Sequence, residues 1–252
     1  MAKISLDNIC AELSQNQVLT DVSLKIGFGE LVALVGPNGA GKTSLMRAAL
    51  GALPVSAGTV KLNAKPIADY SQAQRARQIA YLPQIRPLAW PLSVRDTVAL
   101  GRYAWGASPG KLSPADAEAV DRAMMDCGIA QLAARRTDEL SGGELARVHC
   151  ARALAAHTPL LFVDEPVAAL DPKHQFRIMT LLRQFVDDGG GALVILHDLS
   201  LAARFADRLV WLKNGVIDAD GPPRQTLTAD RLHAVFDISA QVTWDNDIPA
   251  IT

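Results

Sequence analysis

The sequence predicts an α/β fold, a mostly parallel sheet with helices, interrupted by an inserted helical lobe. Three observations predict it. An apolar run, Leu31-Val32-Ala33-Leu34-Val35, leads through a glycine-rich turn into a helix-like stretch from Ser44 to Leu50, closed by Gly51. A second run, Leu160-Leu161-Phe162-Val163, is the composition of a strand buried on both faces of a parallel sheet. Between the two runs, residues from about 85 to 157 read as helices with clear end signals. A single domain over 1–252 is expected. Residues 1–84 and 158–220 form its α/β core, 85–157 its helical lobe and 221–252 a C-terminal addition.

The turn after the first run is Gly36-Pro37-Asn38-Gly39-Ala40-Gly41-Lys42-Thr43, which fits G-x-x-x-x-G-K-[ST]. Strand, loop and helix in that order are the context the motif needs. Its glycines let the backbone curl, so that N–H groups form a nest for the β- and γ-phosphates of a nucleotide. Lys42 adds a positive charge and the Thr43 hydroxyl is placed to bind Mg²⁺. Ser44, the next residue, is assigned to the same phosphate site.

In the helical stretch, Ser113-Pro114-Ala115-Asp116 opens a helix with Ser at the N-cap and Pro at the first turn. It is expected to run to about Asp126 and stop near Cys127-Gly128. Leu140-Ser141-Gly142-Gly143-Glu144 opens another, reaching about Ala156. Ser141 and Glu144 have capping-box spacing. Two glycines in a first turn are costly, about 1 kcal/mol each relative to Ala in a helix interior. They leave bare amides at a helix start, which attracts anions.

The second apolar run closes on Asp164-Glu165. Ligands of open α/β sheets bind at the C-terminal ends of the strands, where this pair falls. Asp164 suits a water-mediated partner of Mg²⁺. Glu165 suits a general base that polarises an attacking water. Further strands are expected near 192–196 and 209–212, and a short helical addition over Pro222–Ile238.

These motifs, in this order, resemble the nucleotide-binding domain of ATP-binding-cassette (ABC) transporters, over about residues 4–238. Leu140-Ser141-Gly142-Gly143-Glu144 is similar to the family signature. Gln84, in Tyr81-Leu82-Pro83-Gln84, is similar to the Q-loop glutamine, which touches Mg²⁺ and the attacking water. Ala169-Leu170-Asp171 resembles the D-loop, and His197, after Val194-Ile195-Leu196, the switch histidine.

The resemblance implies an ABC-type core with an antiparallel β-subdomain, and ATP and Mg²⁺ as cofactors. It further implies a head-to-tail dimer holding two ATP molecules. Each site would join the glycine-rich loop of one copy to the signature of the other, Ser141, Gly142 and Gly143. Asp171 belongs to the same nucleotide site. Catalysis falls to Glu165, His197 and Gln84, and metal binding to Thr43, Gln84 and Asp164. Two departures stand out. Leu13 occupies the place where the family has an adenine-stacking aromatic, which implies weaker ATP binding. Val167 stands where Thr or Ser is common, and no consequence attaches to it.

The strip Pro87-Leu88-Ala89-Trp90-Pro91-Leu92-Ser93-Val94 has few charges, which in a surface loop marks an interaction site. The resemblance makes it the seat of a membrane permease. Arg95–Tyr103 and the tail around Asp220–Thr228 and Leu232–Phe236 are similar to ATPases of metal-chelate importers, which handle ferric siderophores, haem or cobalamin. A substrate-binding protein is a further implied partner. The alternatives are an importer ATPase for another substrate, a non-transport ABC ATPase, or a simple phosphate-loop kinase. A kinase would not need the signature, Gln84 or His197.

Composition bounds these readings. The chain has 252 residues, 49% of them apolar, enough for a large core. Its 25 basic and 26 acidic residues leave no basic surplus for a nucleic-acid partner. Cys10, Cys127 and Cys150 lack metal or redox spacing and read as reduced, packed thiols. No apolar stretch approaches the roughly 20 residues of a membrane span, and Asp7 interrupts any signal-peptide core. The expected place is the cytoplasmic face of the inner membrane, held there by a partner.

Overall fold

In a computed structural model of the chain, residues 3–84, 90–108, 110–167, 170–246 and 248–252 are described. Strands β1 (Ile4–Leu13) and β2 (Asn16–Ile26) form a long antiparallel hairpin. β3 (Leu31–Val35) ends at the glycine-rich loop, and α1 (Lys42–Ala49) starts from it. β4 (Ala57–Leu62) and the short β5 (Lys65–Pro66) complete a four-stranded sheet in the order β2-β1-β4-β5. α2 (Gln72–Ala76) leads to β6 (Ile79–Leu82).

Between β6 and β7 the described residues hold helices and no strand. They are α3 (Val94–Ala99), α4 (Pro114–Asp126) and α5 (Gly142–Ala155), with a tighter 3₁₀ stretch over Leu100–Trp105. α4 begins as its sequence dictates, the Ser113 hydroxyl accepting from the Asp116 amide. Polar contacts hold this lobe together, and one cation–π contact ties it to the chain just after α2. Arg102 donates to Asp116 at 2.8 Å and to the carbonyls of Ala155 and Ala156 at the end of α5. The Trp105 indole lies within 4.9 Å of the Arg102 guanidinium and 5.1 Å of that of Arg77, just after α2.

The chain continues through β7 (Leu160–Asp164), α6 (Pro172–Asp187), β8 (Gly191–Ile195), α7 (Leu199–Phe205), β9 (Arg208–Lys213) and β10 (Val216–Gly221). α8 (Pro223–Thr226) and α9 (Ala229–Phe236) fill the stretch where helices are expected. Beyond them a hairpin, β11 (Val242–Asp245) and β12 (Ile248–Ile251), is an addition that the sequence pattern does not announce. No helix among the described residues is long and apolar enough to cross a membrane.

The main sheet has six strands in the order β10-β9-β3-β8-β7-β6. All neighbours are parallel except β10 on β9. The continuous apolar runs have a direct explanation. Leu31, Ala33, Leu161 and Val163 enter the core shared with α4, α5 and α6. Val32, Leu34, Leu160 and Phe162 enter the second core, under α1 and the antiparallel sheet. A strand covered on both faces has no position for a polar residue until it ends.

Register then places the polar residues. Tyr81 pairs with Phe162, Asp164 with Ile195, and Leu34 with Ile195. The loops that begin at Gly36, Pro83, Glu165 and Leu196 therefore leave the sheet along one edge, the carboxyl end of its parallel strands.

Candidate functional site

The glycine-rich loop forms the first part of that edge. Gly36 has φ +149°, and a Cβ there would lie 2.0 Å from the Leu212 carbonyl of β9, so only glycine fits. The Ala40 carbonyl accepts from the Gly215 amide in the β9–β10 turn, which props the loop from below. Lys42 reaches back to the carbonyls of Gly36 at 2.7 Å and Pro37 at 2.9 Å. Gly41, the N-cap of α1, supplies no capping side chain. Among the described residues, the amides of Gly39, Gly41, Lys42, Thr43 and Ser44 donate no hydrogen bond. A run of free amides at a helix start, with one ammonium beside it, is built for an anion.

The second part is the carboxylate pair. Asp164 is 1% exposed, and its Oδ1 has no hydrogen-bond partner. Burial pushes its carboxyl up, opposed by a hydrogen bond from Thr43. Burial lowers the Lys42 ammonium in turn, and Glu165 and Asp164 push it back up. A buried, orphaned carboxylate oxygen next to a threonine hydroxyl is a set of hard oxygen donors, the type Mg²⁺ prefers. The residues present fit that ion.

Asp164→Asn therefore has a predictable effect on the ligand-free chain. A carboxyl whose folded pKa is raised destabilises the fold above its unfolded pKa, and the cost disappears below it. The variant should melt higher than the parent at pH 7. The gain should fade as pH falls toward about 4. Thermal melts at the two pH values check this, and a lower midpoint at pH 7 would contradict it.

Glu165 follows with φ +48°, left-handed backbone that a non-glycine residue adopts at a cost of roughly 1–3 kcal/mol. Both its carboxylate oxygens are engaged. Gln84 Nε2 donates to Oε2 at 2.5 Å. His197 Nε2 lies 2.5 Å from Oε1, and since a carboxylate only accepts, the imidazole donates. Gln84, Glu165 and His197, far apart in sequence, meet at one point beside Asp164 and Lys42.

Ser141 caps α5 as the sequence predicts. Its hydroxyl accepts from the Glu144 amide at 3.3 Å, and Glu144 accepts from the Ser141 amide at 2.9 Å. The Ser141 amide holds the Glu144 carboxyl below the ordinary range, and the Ser141 hydroxyl adds to this. Gly142 and Gly143 keep free amides between them. Asp171 caps α6, accepting from the His174 amide at 3.0 Å. No hydrogen bond or ion pair among the described residues joins 141–144 or Asp171 to the loop at 36–44 or to Glu165. Hydrogen bonds thus divide the predicted residues into two groups, Gln84, Glu165 and His197 in one and the caps of α5 and α6 in the other.

Leu13 is 48% exposed at the end of β1, opposite Asn16 of β2. Val167 is buried against the core of α5 and α6. Trp90 is 66% exposed and Tyr103 76%. Pro87, Leu88, Ala89 and Ala169 lie outside the described residues. His174 is not among the residues predicted from sequence, although the spacing Asp171-x-x-His174 signals a cap position with a second partner for the carboxylate.

The sequence model of the family described as ABC transporter matches residues 19–168. The chain belongs to the ABC transporter family. As a member of it, this ABC ATPase binds and hydrolyses ATP. It is 43% identical to the hemin import ATP-binding protein HmuV of Nocardia farcinica over 90% of its own length and 78% of the relative's. It is 40% identical to the cobalamin import ATP-binding protein BtuD of Halobacterium salinarum, over 99% of its own length and 62% of that protein. Its fold is that of a chain from a metal-chelate type ABC transporter in an inward-facing conformation. That match has a TM-score of 0.84 at 23% identity, and covers 100% of this chain and 96% of the other.

Proposed function

We propose that this ABC ATPase drives uptake of a metal chelate of the haem, cobalamin or siderophore type, by closing and opening as a dimer beneath a membrane permease. The observation that carries the catalytic part is the meeting of Gln84, Glu165 and His197 beside Lys42 and Asp164. In this reading Glu165 orients and deprotonates the attacking water, His197 holds the carboxylate and faces the γ-phosphate, and Gln84 reports occupancy of the site. Residues Gly36 to Ser44 receive the phosphates. Thr43, Asp164 and Gln84 would hold Mg²⁺, which when bound neutralises phosphate charge. Hydrolysis needs one oxygen of Glu165 to be freed from the two groups that occupy it here.

Two groups of site residues with no hydrogen bond between them among the described residues support an isologous C2 pairing. Ser141, Gly142 and Gly143 of one copy would then face ATP held by Lys42 of the other, with Asp171 near the same seam. The exposed Trp90 and Tyr103 support a permease contact on the helical lobe, residues 85–157. The names of the similar hemin and cobalamin import proteins support the cargo class. A substrate-binding protein, and a place on the cytoplasmic face of the inner membrane, follow from the same reading, as does the absence of a nucleic-acid partner.

Vesicles holding a metal-chelate permease, with its binding protein inside, test the proposal. Adding this chain and Mg-ATP should give substrate-stimulated ATPase activity and chelate release from the permease. Full activity without any membrane partner, together with transfer of phosphate to an acceptor other than water, would overturn it.

A further inference from the structure

Gly143 has a neighbour that phosphate binding does not explain. A Cβ built on it would lie 2.9 Å from Cδ2, 3.0 Å from Nε2 and 3.1 Å from Cε1 of His174. The imidazole edge thus rests against the Gly143 backbone, in the first turn of α5. The other side of the ring is fixed. Nδ1 lies 2.7 Å from Asp171 Oδ2, and the same carboxylate accepts the His174 amide through Oδ1. The His174 amide, and after it the imidazole, hold the Asp171 carboxyl below the ordinary range, so it is an anion that accepts from both. His174 is 29% exposed and its ring has one hydrogen-bond partner, Asp171, among the described residues.

A side chain with one end bonded to a cap carboxylate and the other against a glycine can transmit position between the two. In α5 the amides of Ser141 and Glu144 are already taken by the capping box. The free donors of that helix start are the amides of Gly142 and Gly143, and the imidazole packs where a side chain on the second of these residues would stand.

We infer that His174 is a positioning residue for the signature turn. Fixed by Asp171, it sets the direction of the Gly143 amide and couples the D-loop to the start of α5. It therefore acts on the γ-phosphate of the partner's ATP through Gly143. This rests on the head-to-tail reading above.

The experiment is ATP-driven dimerisation in the Glu165→Gln background, followed by sedimentation, with single-chain ATP affinity measured alongside. His174→Ala should weaken dimerisation about tenfold and leave single-chain affinity within about twofold, because the glycine-rich loop is untouched. His174→Asn keeps a donor for Asp171 but has no ring to rest on Gly143. It should therefore behave like His174→Ala. Gly143→Ala drives a methyl into the imidazole and should weaken dimerisation strongly in the presence of His174. In the His174→Ala background the same change should cost much less, a non-additive pair. Additive effects, or full dimerisation by His174→Ala, would overturn the inference while leaving the pairing intact. If Glu165→Gln itself stays monomeric with ATP, the pairing falls and the inference with it.

Discussion

Glu165→Gln is expected to lower the turnover of this ABC ATPase by about 10²–10⁴-fold. Nucleotide recovered from the protein should be ATP rather than ADP. Glutamine matches glutamate in size, and its carbonyl oxygen can still accept from either Gln84 or His197, which lie 2.5 Å from the two carboxylate oxygens. What it lacks is basicity. Lys42, Thr43 and Asp164, the proposed holders of the phosphates and Mg²⁺, are untouched. Turnover within a factor of a few of the parent would remove Glu165 from the role of base and leave Gln84 and His197 without their shared target.

Ser141→Arg is expected to abolish steady-state hydrolysis, a loss of at least about 10²-fold, comparable with removal of a key oxyanion donor. ATP affinity of the single chain should stay within about twofold. Two local effects combine. The variant loses the Ser141 hydroxyl that accepts the Glu144 amide, costing α5 about 0.5–2 kcal/mol. It also raises a long side chain beside the free amides of Gly142 and Gly143. Neither effect reaches the loop at 36–44, because no hydrogen bond or ion pair among the described residues links the two clusters. If the single chain lost ATP binding as well, the signature would lie in the same site as Lys42, and the separation of half-sites would be wrong.

Much of this was legible in the chain. Leu31–Val35 and Leu160–Val163 could be read as buried strands because a strand covered on both faces leaves no polar position before its end. Ser113 and Ser141 marked their helices because a cap is a contact over three residues. What crosses the sequence was not legible in local spacing; the family resemblance, not a pattern in the chain, grouped Gln84 and His197 with Glu165. Gln84 lies 81 residues from Glu165, and His197 lies 32 residues from it. Only the register of β6, β7 and β8 brings them to one edge. His174 and Gly143 meet through the packing of α6 on α5, which no local pattern records. The hairpin at Val242–Ile251 carries Pro249 within a strand, where proline argues against one. The two glycines of the signature had one reading from sequence, a bare helix start for an anion. The structure gives Gly143 a second, room for the His174 ring.

In the proposed mechanism the active site is divided between two copies of the chain. The most direct test of this division is the sedimentation mass of the Glu165→Gln variant, with and without Ser141→Arg, in Mg-ATP. Expected are a dimer of the 26.9 kDa chain for Glu165→Gln in ATP, a monomer in ADP, and a monomer in both for the double variant. A Glu165→Gln chain that stays monomeric while saturated with ATP, from a parent that hydrolyses ATP at the same specific rate at every dilution, would contradict it.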